Sequence, residues 1–597
     1  MKDHDDDGEE DSFVNARDTD ALLSRRKSSA MSSQLSDHSR RRSSALIRNA
    51  VLDPKKISTP LVGGALLYTT VMITVLLGHQ LGWEIAQLNL GVFHNPKDCA
   101  QRPVKTGRCI VYPGHSDVQW VMAVMCWVLG AATGSLFCNI PADKYGRRSV
   151  VCGNATLMII GSALQTFSPN IYLFALGRFF NGIASGSGST ITSVFLSEIG
   201  PPHQKASFVV AFQCTGSMGL VAITLVHFAI TGSPTSWRWI MAFPAILGVT
   251  QLTLSPFFLV ESPKWLLSNR RHKEAAVAFH RLYKSGSFQE LEQTVRAEVE
   301  QNVRRQILEA QQSPASHVDS SFWRVAFSSR CSKQFTISCI LCIARQFGGV
   351  SAVFYYSSGI FAGAGIQDSR VGNLILGFVN MGAVFLVCTF MKKLPRRTAL
   401  LIGIGGMICC SVAMTWAIVN KSGAAIAFTA LYVGFNSISL SPLPFLVTAE
   451  VLPEHIKTKG ISVTTFINWF SNLIVGICFP ILAHYTGDYT FVPFTGLLSL
   501  FWICLFTMLP ETRDKTVEQI QQEFHDQVGL FAKFKRAKML ESELPLTKNA
   551  KELKETTSAV PVTTTVSATA AAATARRTSV ELVMPSPAPR PNLSRTA

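Results

Sequence analysis

The sequence predicts an all-α polytopic membrane protein: twelve transmembrane helices in two six-helix halves, joined by a cytoplasmic helical linker domain. Three observations carry that reading. The composition is 48% apolar with 16% charged residues, whereas an ordinary soluble chain is about one quarter charged. The apolar residues gather into stretches long enough to cross a bilayer, which takes about 20 residues. Charged residues recur between those stretches at matching places in the two halves.

Taken in order, residues 1–56 are rich in Asp, Ser and Arg and read as a disordered cytoplasmic tail. No apolar core follows the tail's Arg residues, so it is not a cleaved signal peptide and the first span directs insertion. Six spans at about 60–82, 118–140, 149–168, 171–196, 205–228 and 237–260 make an N-terminal half, 57–260. The charged linker, 261–332, contains KEAAVAFHRLY and LEQTVRAEVEQNVRRQILEA, whose helical periodicity predicts surface helices. Six further spans at about 333–364, 373–391, 398–419, 424–448, 460–483 and 488–509 make the C-terminal half, 333–509. A cytoplasmic segment, 510–540, and a disordered tail, 541–597, follow.

An even number of spans keeps both termini on one side. The basic clusters at 144–148, 264–330 and 392–397 share that side, and the positive-inside rule makes it cytoplasmic, with the plasma membrane the expected location. The net charge of +17 does not point to nucleic acid, because the Lys and Arg lie in short clusters between apolar spans. Ser28, Ser44 and Ser579 each follow a basic run, as sites for a kinase do; phosphate there would weaken contact with anionic membrane lipid. Most Cys residues sit in apolar segments as small hydrophobes. No Cys/His cluster in the sequence suggests a metal, and no cofactor is expected. Cys99 and Cys109 lie in the polar stretch between the first two spans, where a disulfide is permitted if that loop is extracellular.

The halves repeat. The segment DKYGRR, Asp143 to Arg148, is echoed by KKLPRR, Lys392 to Arg397, while Glu198 and Glu261 are echoed 252 and 250 positions later by Glu450 and Glu511. Duplicated six-span halves are the build of an alternating-access carrier. The sequence therefore predicts one conformational charge network of Asp143, Arg147, Arg148, Arg178, Glu198 and Glu261, and a second of Arg396, Arg397, Glu450, Lys459 and Glu511. Such bridges bias a two-state equilibrium by forming in one state and parting in the other; the simpler role is to fix topology.

Polar side chains stranded inside the spans mark the route. Gln213, Gln346, Ser351, Asn380 and Asn468 offer donors and acceptors together, which suits a neutral polyhydroxylated ligand. Tyr355, Tyr356, Phe445 and Trp469 add flat surfaces able to cover a sugar ring and close a gate, with Asn472 among them. Pro442 and Pro444 interrupt the tenth span and allow it to bend. Arg345, at mid-span, must face a cavity or a partner. No nucleophile, base and orienter stand together, so an enzyme is not expected.

The motifs ADKYGRR (142–148), GRFFNGIASG (177–186), ESPKWLL (261–267), QFGGVSAVFYYSSGIF (346–361), NWFSN (468–472) and PET (510–512) closely resemble signatures of the sugar porter family of the major facilitator superfamily. That family includes facilitative glucose transporters and proton-linked sugar symporters. The resemblance covers about 60–520 and implies a twelve-helix major facilitator fold carrying a hexose through a central cavity. By motif position it places Gln213, Arg345, Gln346, Ser351, Asn380, Phe445, Asn468 and Trp469 at the sugar site. Two positions depart from the pattern. Arg345 stands where the family has the first of two glutamines, and Ser351 where it has asparagine. Glu84 occupies the acidic position of the first-helix motif, where proton-coupled relatives carry aspartate and uniporters asparagine. Two roles are open to Glu84: a protonatable coupling residue, or the counter-ion of Arg345. An Arg345 facing the cavity unpaired would instead attract an anionic sugar derivative. Uniport, proton symport and a non-transporting sugar sensor all remain readings of the same chain.

Overall fold

The computed structural model describes residues 61–524 apart from 106, 202–203, 231–234, 298, 301–326, 328–330, 364–367, 391–394, 514, 516–518 and 521. Ser28, Ser44, Ser579, both tails and the pair Lys392 and Lys393 lie outside the described residues. The N-terminal half is built from α1 (Ala65–Ala86), α2 (Asp117–Phe137), α3 (Arg147–Phe167), α4 (Ile171–Ile199), α5 (Lys205–Ala229) and α6 (Trp237–Phe258). The C-terminal half has α7 (Ser332–Phe347), α8 (Val350–Gly363), α9 (Ser369–Phe390), α10 (Arg396–Val419), α11 (Ala424–Ile438), α12 (Leu443–Val451), α13 (Glu454–Thr486) and α14 (Val492–Met508).

Ten stretches of the described chain are long and apolar enough to cross a membrane. Two of them are interrupted spans, α7 with α8 and α11 with α12. Adding α4, diluted by Gly and Ser, and the 17-residue α14 brings the helical spans to twelve. The tightest packing uses small residues, as expected where lipid removes the hydrophobic drive between helices. Gly130 and Gly134 of α2 face Gly182 and Gly186 of α4, and a Cβ on Gly182 would run into the Trp127 carbonyl.

The two breaks fall where backbone chemistry requires them. Gly349 ends α7 with φ +77°, and a Cβ there would stand 2.8 Å from the Phe494 ring. Tyr432 donates its hydroxyl to the carbonyl freed at Gly348. Between α11 and α12, Pro442 caps the second segment and Pro444 lies in its first turn, where a missing N–H is harmless.

The linker is anchored rather than merely lying on the surface. Its strand Tyr283–Ser285 pairs antiparallel with Val62–Gly63, just ahead of α1. Helix His272–Leu282 buries Ala275, Ala278, Phe279 and Leu282 in one cluster with Phe195 and Ile199 of α4. At the opposite end of the bundle, the loop from α1 to α2 is closed by the Cys99–Cys109 disulfide, with Cα atoms 5.4 Å apart.

The halves meet along α2 with α13 and α5 with α9. Both ends of that seam are bridged. Near the linker, Asn139 donates to the Ser462 hydroxyl at 2.8 Å. At the far end, Asn89 donates to Ser357 at 2.7 Å and accepts from the Ser358 amide at 3.2 Å.

Candidate functional site

Glu84 lies near the end of α1 with no solvent exposure, and its partner is Arg178 rather than Arg345. The Arg178 Nη1 is 2.5 Å from Glu84 Oε2, and both side chains are almost wholly buried. Asn181, one turn further along α4, donates to the other carboxylate oxygen at 2.6 Å. Arg178 also donates to Gln87 at 2.8 Å and lies over the Trp127 ring. The buried carboxylate is therefore fully engaged, the condition under which a charge can be held in a low-dielectric interior.

This placement corrects the assignment of Arg178 to the charge network beside the linker. Arg178 is two turns into α4 and Glu198 is in its last turn. Twenty residues of helix put them about 30 Å apart, so only Glu198 reaches the network. Asn181 and Trp127 were missed in the sequence; the GRFFNG spacing, which puts Arg178 and Asn181 on one helical face, is the signal that could have found Asn181.

Arg345 meets no carboxylate among the described residues. Its guanidinium donates to the Ser441 carbonyl in the break between α11 and α12, and stacks over Phe445 with the ring centroid 5.0 Å away. The interrupted helix explains how the cation is tolerated: the break turns the Ser441 carbonyl, with its partial negative charge, toward the guanidinium. Gln213 of α5 reaches the same break and donates to the Ser441 hydroxyl at 3.1 Å, linking the two halves.

The next residue, Gln346, donates to Asn468 of α13 at 2.9 Å and accepts from Ser351 of α8 at 2.6 Å. Trp469 packs edge-on against Trp127, with centroids 5.5 Å apart. Trp469 and Tyr355 belong to the C-terminal half, yet both are buried in a cluster built mostly from the N-terminal half. Tyr355 accepts from Asn472 at 3.0 Å. Tyr356 donates to the Gly476 carbonyl and stacks parallel to Phe479. Asn380 is held by Ser437 of α11 and does not join the Gln346 cluster. A cavity of about 430 Å³ lies elsewhere, against the linker, lined by Arg148, Glu261, Trp265 and Arg281.

The charge networks have the same geometry in each half. Arg147 meets Glu198 at 2.9 Å and Asp143 at 3.3 Å, while Arg396 meets Glu450 at 3.3 Å. Glu261 accepts the backbone amides of Arg147 and Arg148 at the start of α3; Glu511 accepts those of Arg396 and Arg397 at the start of α10. A carboxylate at a helix N-terminus is the favoured arrangement. Burial raises the Glu261 carboxyl above the usual carboxylate range, against the pull of the Ser262, Arg148 and Arg147 amides. Arg148 contributes its amide, and Arg397 sends its guanidinium to the Phe506 carbonyl and ring. Lys459 departs from expectation: it is exposed on α13 and forms no ion pair among the described residues.

The Sugar (and other) transporter family model matches residues 70–524. The chain belongs to that family. The facilitated glucose transporter member 3 of Oryctolagus cuniculus is 30% identical over 422 residues, covering 69% of this chain and 82% of that relative. The Homo sapiens member 3 is 29% identical over 418 residues, covering 68% and 82%. Among solved structures, the proton:xylose symporter XylE bound to 6-bromo-6-deoxy-D-glucose superposes with TM-score 0.60 at 18% identity, covering 77% of this chain and 99% of XylE. An inward-open form of XylE from E. coli gives 0.61 at 19% identity, covering 76% and 99%. The fold is thus that of the major facilitator superfamily, and the chain is a multi-pass membrane protein of the sugar porter group.

Proposed function

We propose that this chain carries a hexose or a similar polyhydroxylated solute across a membrane by alternating access, as a uniporter or a proton symporter. The observation that supports this reading best is the Gln346, Asn468 and Ser351 cluster, beside Trp469 on the seam between the halves. Its amides and hydroxyl already exchange hydrogen bonds with one another, so a sugar can replace those bonds without stranding a buried polar group. The bridges at both ends of the seam fit an occluded stage of such a cycle. The relatives' names, glucose transporters and a proton:xylose symporter, agree.

The test is uptake of a labelled sugar panel into proteoliposomes, with and without an imposed pH gradient. Gln346→Ala and Asn468→Ala should each lower saturable uptake about tenfold, the loss expected of one buried hydrogen bond; normal uptake in both rejects the site. Proton coupling turns on Glu84. Its protonation would remove the ion pair with Arg178, whose other contacts, the Glu84 carbonyl, Gln87 and the Trp127 ring, lead to Trp469 across the seam. Sugar-driven alkalinisation that disappears in Glu84→Gln supports symport, and pH-independent uptake without current makes the protein a uniporter.

A second reading rests on Arg345, whose charge no described carboxylate offsets. It is transport of an anionic sugar derivative, and competition by sugar acids that Arg345→Gln abolishes would favour it. Binding without accumulation in vesicles would make the protein a sugar sensor. The plasma membrane, with both termini cytoplasmic, is the proposed setting, and a kinase acting on the tails a proposed partner.

A further inference from the structure

The cavity against the linker holds more positive charge than its own carboxylates use. Its volume is about 430 Å³, and it lies between the start of α3, the end of α6 and the linker helix His272–Leu282. Arg148, Arg271, Lys273 and Arg281 line it, against two carboxylates, Glu261 and Glu274. Glu274 is taken by Arg271 through contacts of 2.8 and 2.5 Å. Glu261 is taken by the amides of Arg147, Arg148 and Ser262. Arg281 reaches the Phe257 carbonyl at 3.5 Å. The side chains of Arg148, Lys273 and Arg281 are thus left without a carboxylate among the described residues. The remaining wall is apolar: Val260 and Trp265 are buried, and Val277 is 60% exposed.

The same chain carries a segment of complementary chemistry that the transport reading leaves unused. Residues 3–11, DHDDDGEED, hold seven acidic residues and no Lys or Arg, and Phe13 and Val14 come close behind. They lie outside the described residues, but the structure fixes where their tether begins. Val62–Gly63 pairs with the linker strand Tyr283–Ser285, which directly follows the helix carrying Lys273 and Arg281. That helix has 11 residues and is about 16 Å long. The 47 residues between Val14 and Val62 would span about 35–40 Å as a coil, so the tether reaches every part of the cavity. An anionic lipid surface repels an acidic run, whereas unpaired guanidinium and ammonium groups attract it.

We propose that the linker cavity is the docking site of the chain's own acidic N-terminal segment, residues 3–14, with carboxylates on Arg148, Lys273 and Arg281 and Phe13 against the apolar wall. The tether makes this encounter intramolecular, which favours it over any free acidic peptide. Docked there, the segment joins the start of α3, the end of α6 and the linker helix beside the Glu261 cap, and so acts as a latch on the linker. The latch stands whether or not the carried solute is a sugar. Its rival for the same cations is an anionic phospholipid headgroup.

The experiment uses the full chain in phosphatidylcholine nanodiscs and a carbodiimide, which joins a carboxylate to an amine in direct contact. Mass spectrometry of the monomer should find residues 3–11 linked to Lys273, and the link should fade in about 1 M NaCl, where charges are screened beyond about 3 Å. Arg281→Glu, on the exposed face of the helix, should lower the yield several-fold while Lys273 remains as the reporter. Asp5→Asn, Asp6→Asn and Asp7→Asn together should do the same through Glu9, Glu10 and Asp11, in a segment far from the folded core in sequence. Absence of the Lys273 link overturns the latch. So does equal linking to Lys459, exposed on α13, which would reduce the attraction to general charge. Loss of the Lys273 link when phosphatidylserine is added assigns the cavity to the lipid headgroup and likewise overturns it.

Discussion

The two halves share a scaffold and handle buried charge in opposite ways. At the linker end they match in their central pairs and caps: Arg147 and Arg396 pair with Glu198 and Glu450, while Glu261 and Glu511 cap α3 and α10. At mid-membrane they diverge. The N-terminal half closes Glu84 against Arg178 and Asn181 inside a continuous helix pair. The C-terminal half holds Arg345 on a carbonyl in a helix break and over an aromatic ring, with no described carboxylate. Duplication thus preserved the parts that join helices within each half, while the parts facing the seam were free to differ. The half with a matched pair suits a proton step, and the half with broken helices and amides suits a ligand.

The largest test of this contrast compares the two arginines. Arg178→Ala strands a buried carboxylate and should destabilise the protein by roughly 3–5 kcal/mol, read as a loss of folded, monodisperse protein that adding Glu84→Gln partly restores. Arg345→Met strands only the Ser441 carbonyl and should cost roughly 1–3 kcal/mol. Equal losses in a thermal unfolding assay would erase the distinction. Next in size is the break at Gly349: Gly349→Ala forces a side chain into positive φ and toward Phe494, at about 1–3 kcal/mol, whereas an alanine at Gly153, which has open space, should be silent. The smallest effect tests the part that matches. Glu261→Ala and Glu511→Ala should shift the unfolding midpoint and the transport rate to similar extents, each losing hydrogen bonds worth about 1–3 kcal/mol. A clear difference between them would mean that the networks are equivalent in shape and unequal in use.

Much of the fold was legible in the sequence. Span positions followed from apolar length, and the paired carboxylates at 198 and 450, and at 261 and 511, appeared as a near-constant offset. The Gln346, Ser351 and Asn468 cluster was legible too, because amides inside an apolar run stand out against it. Arg178 was misplaced because a motif names a residue without saying at which depth of the bilayer its turn falls. Lys459 was misplaced because a charge near a helix end does not reveal its facing.

What the sequence by itself determined is the number and order of spans, the duplication and the stock of polar groups, since these depend on local apolarity, length and charge. Only the tertiary structure decided that Glu84 belongs to Arg178, that Arg345 rests on the α11 break, and that His94 meets His115 across a disulfide-closed loop. Each of those pairings joins segments distant in the chain. Successive residues of a helix point about 100° apart, so helix rotation and packing select partners that spacing alone leaves open.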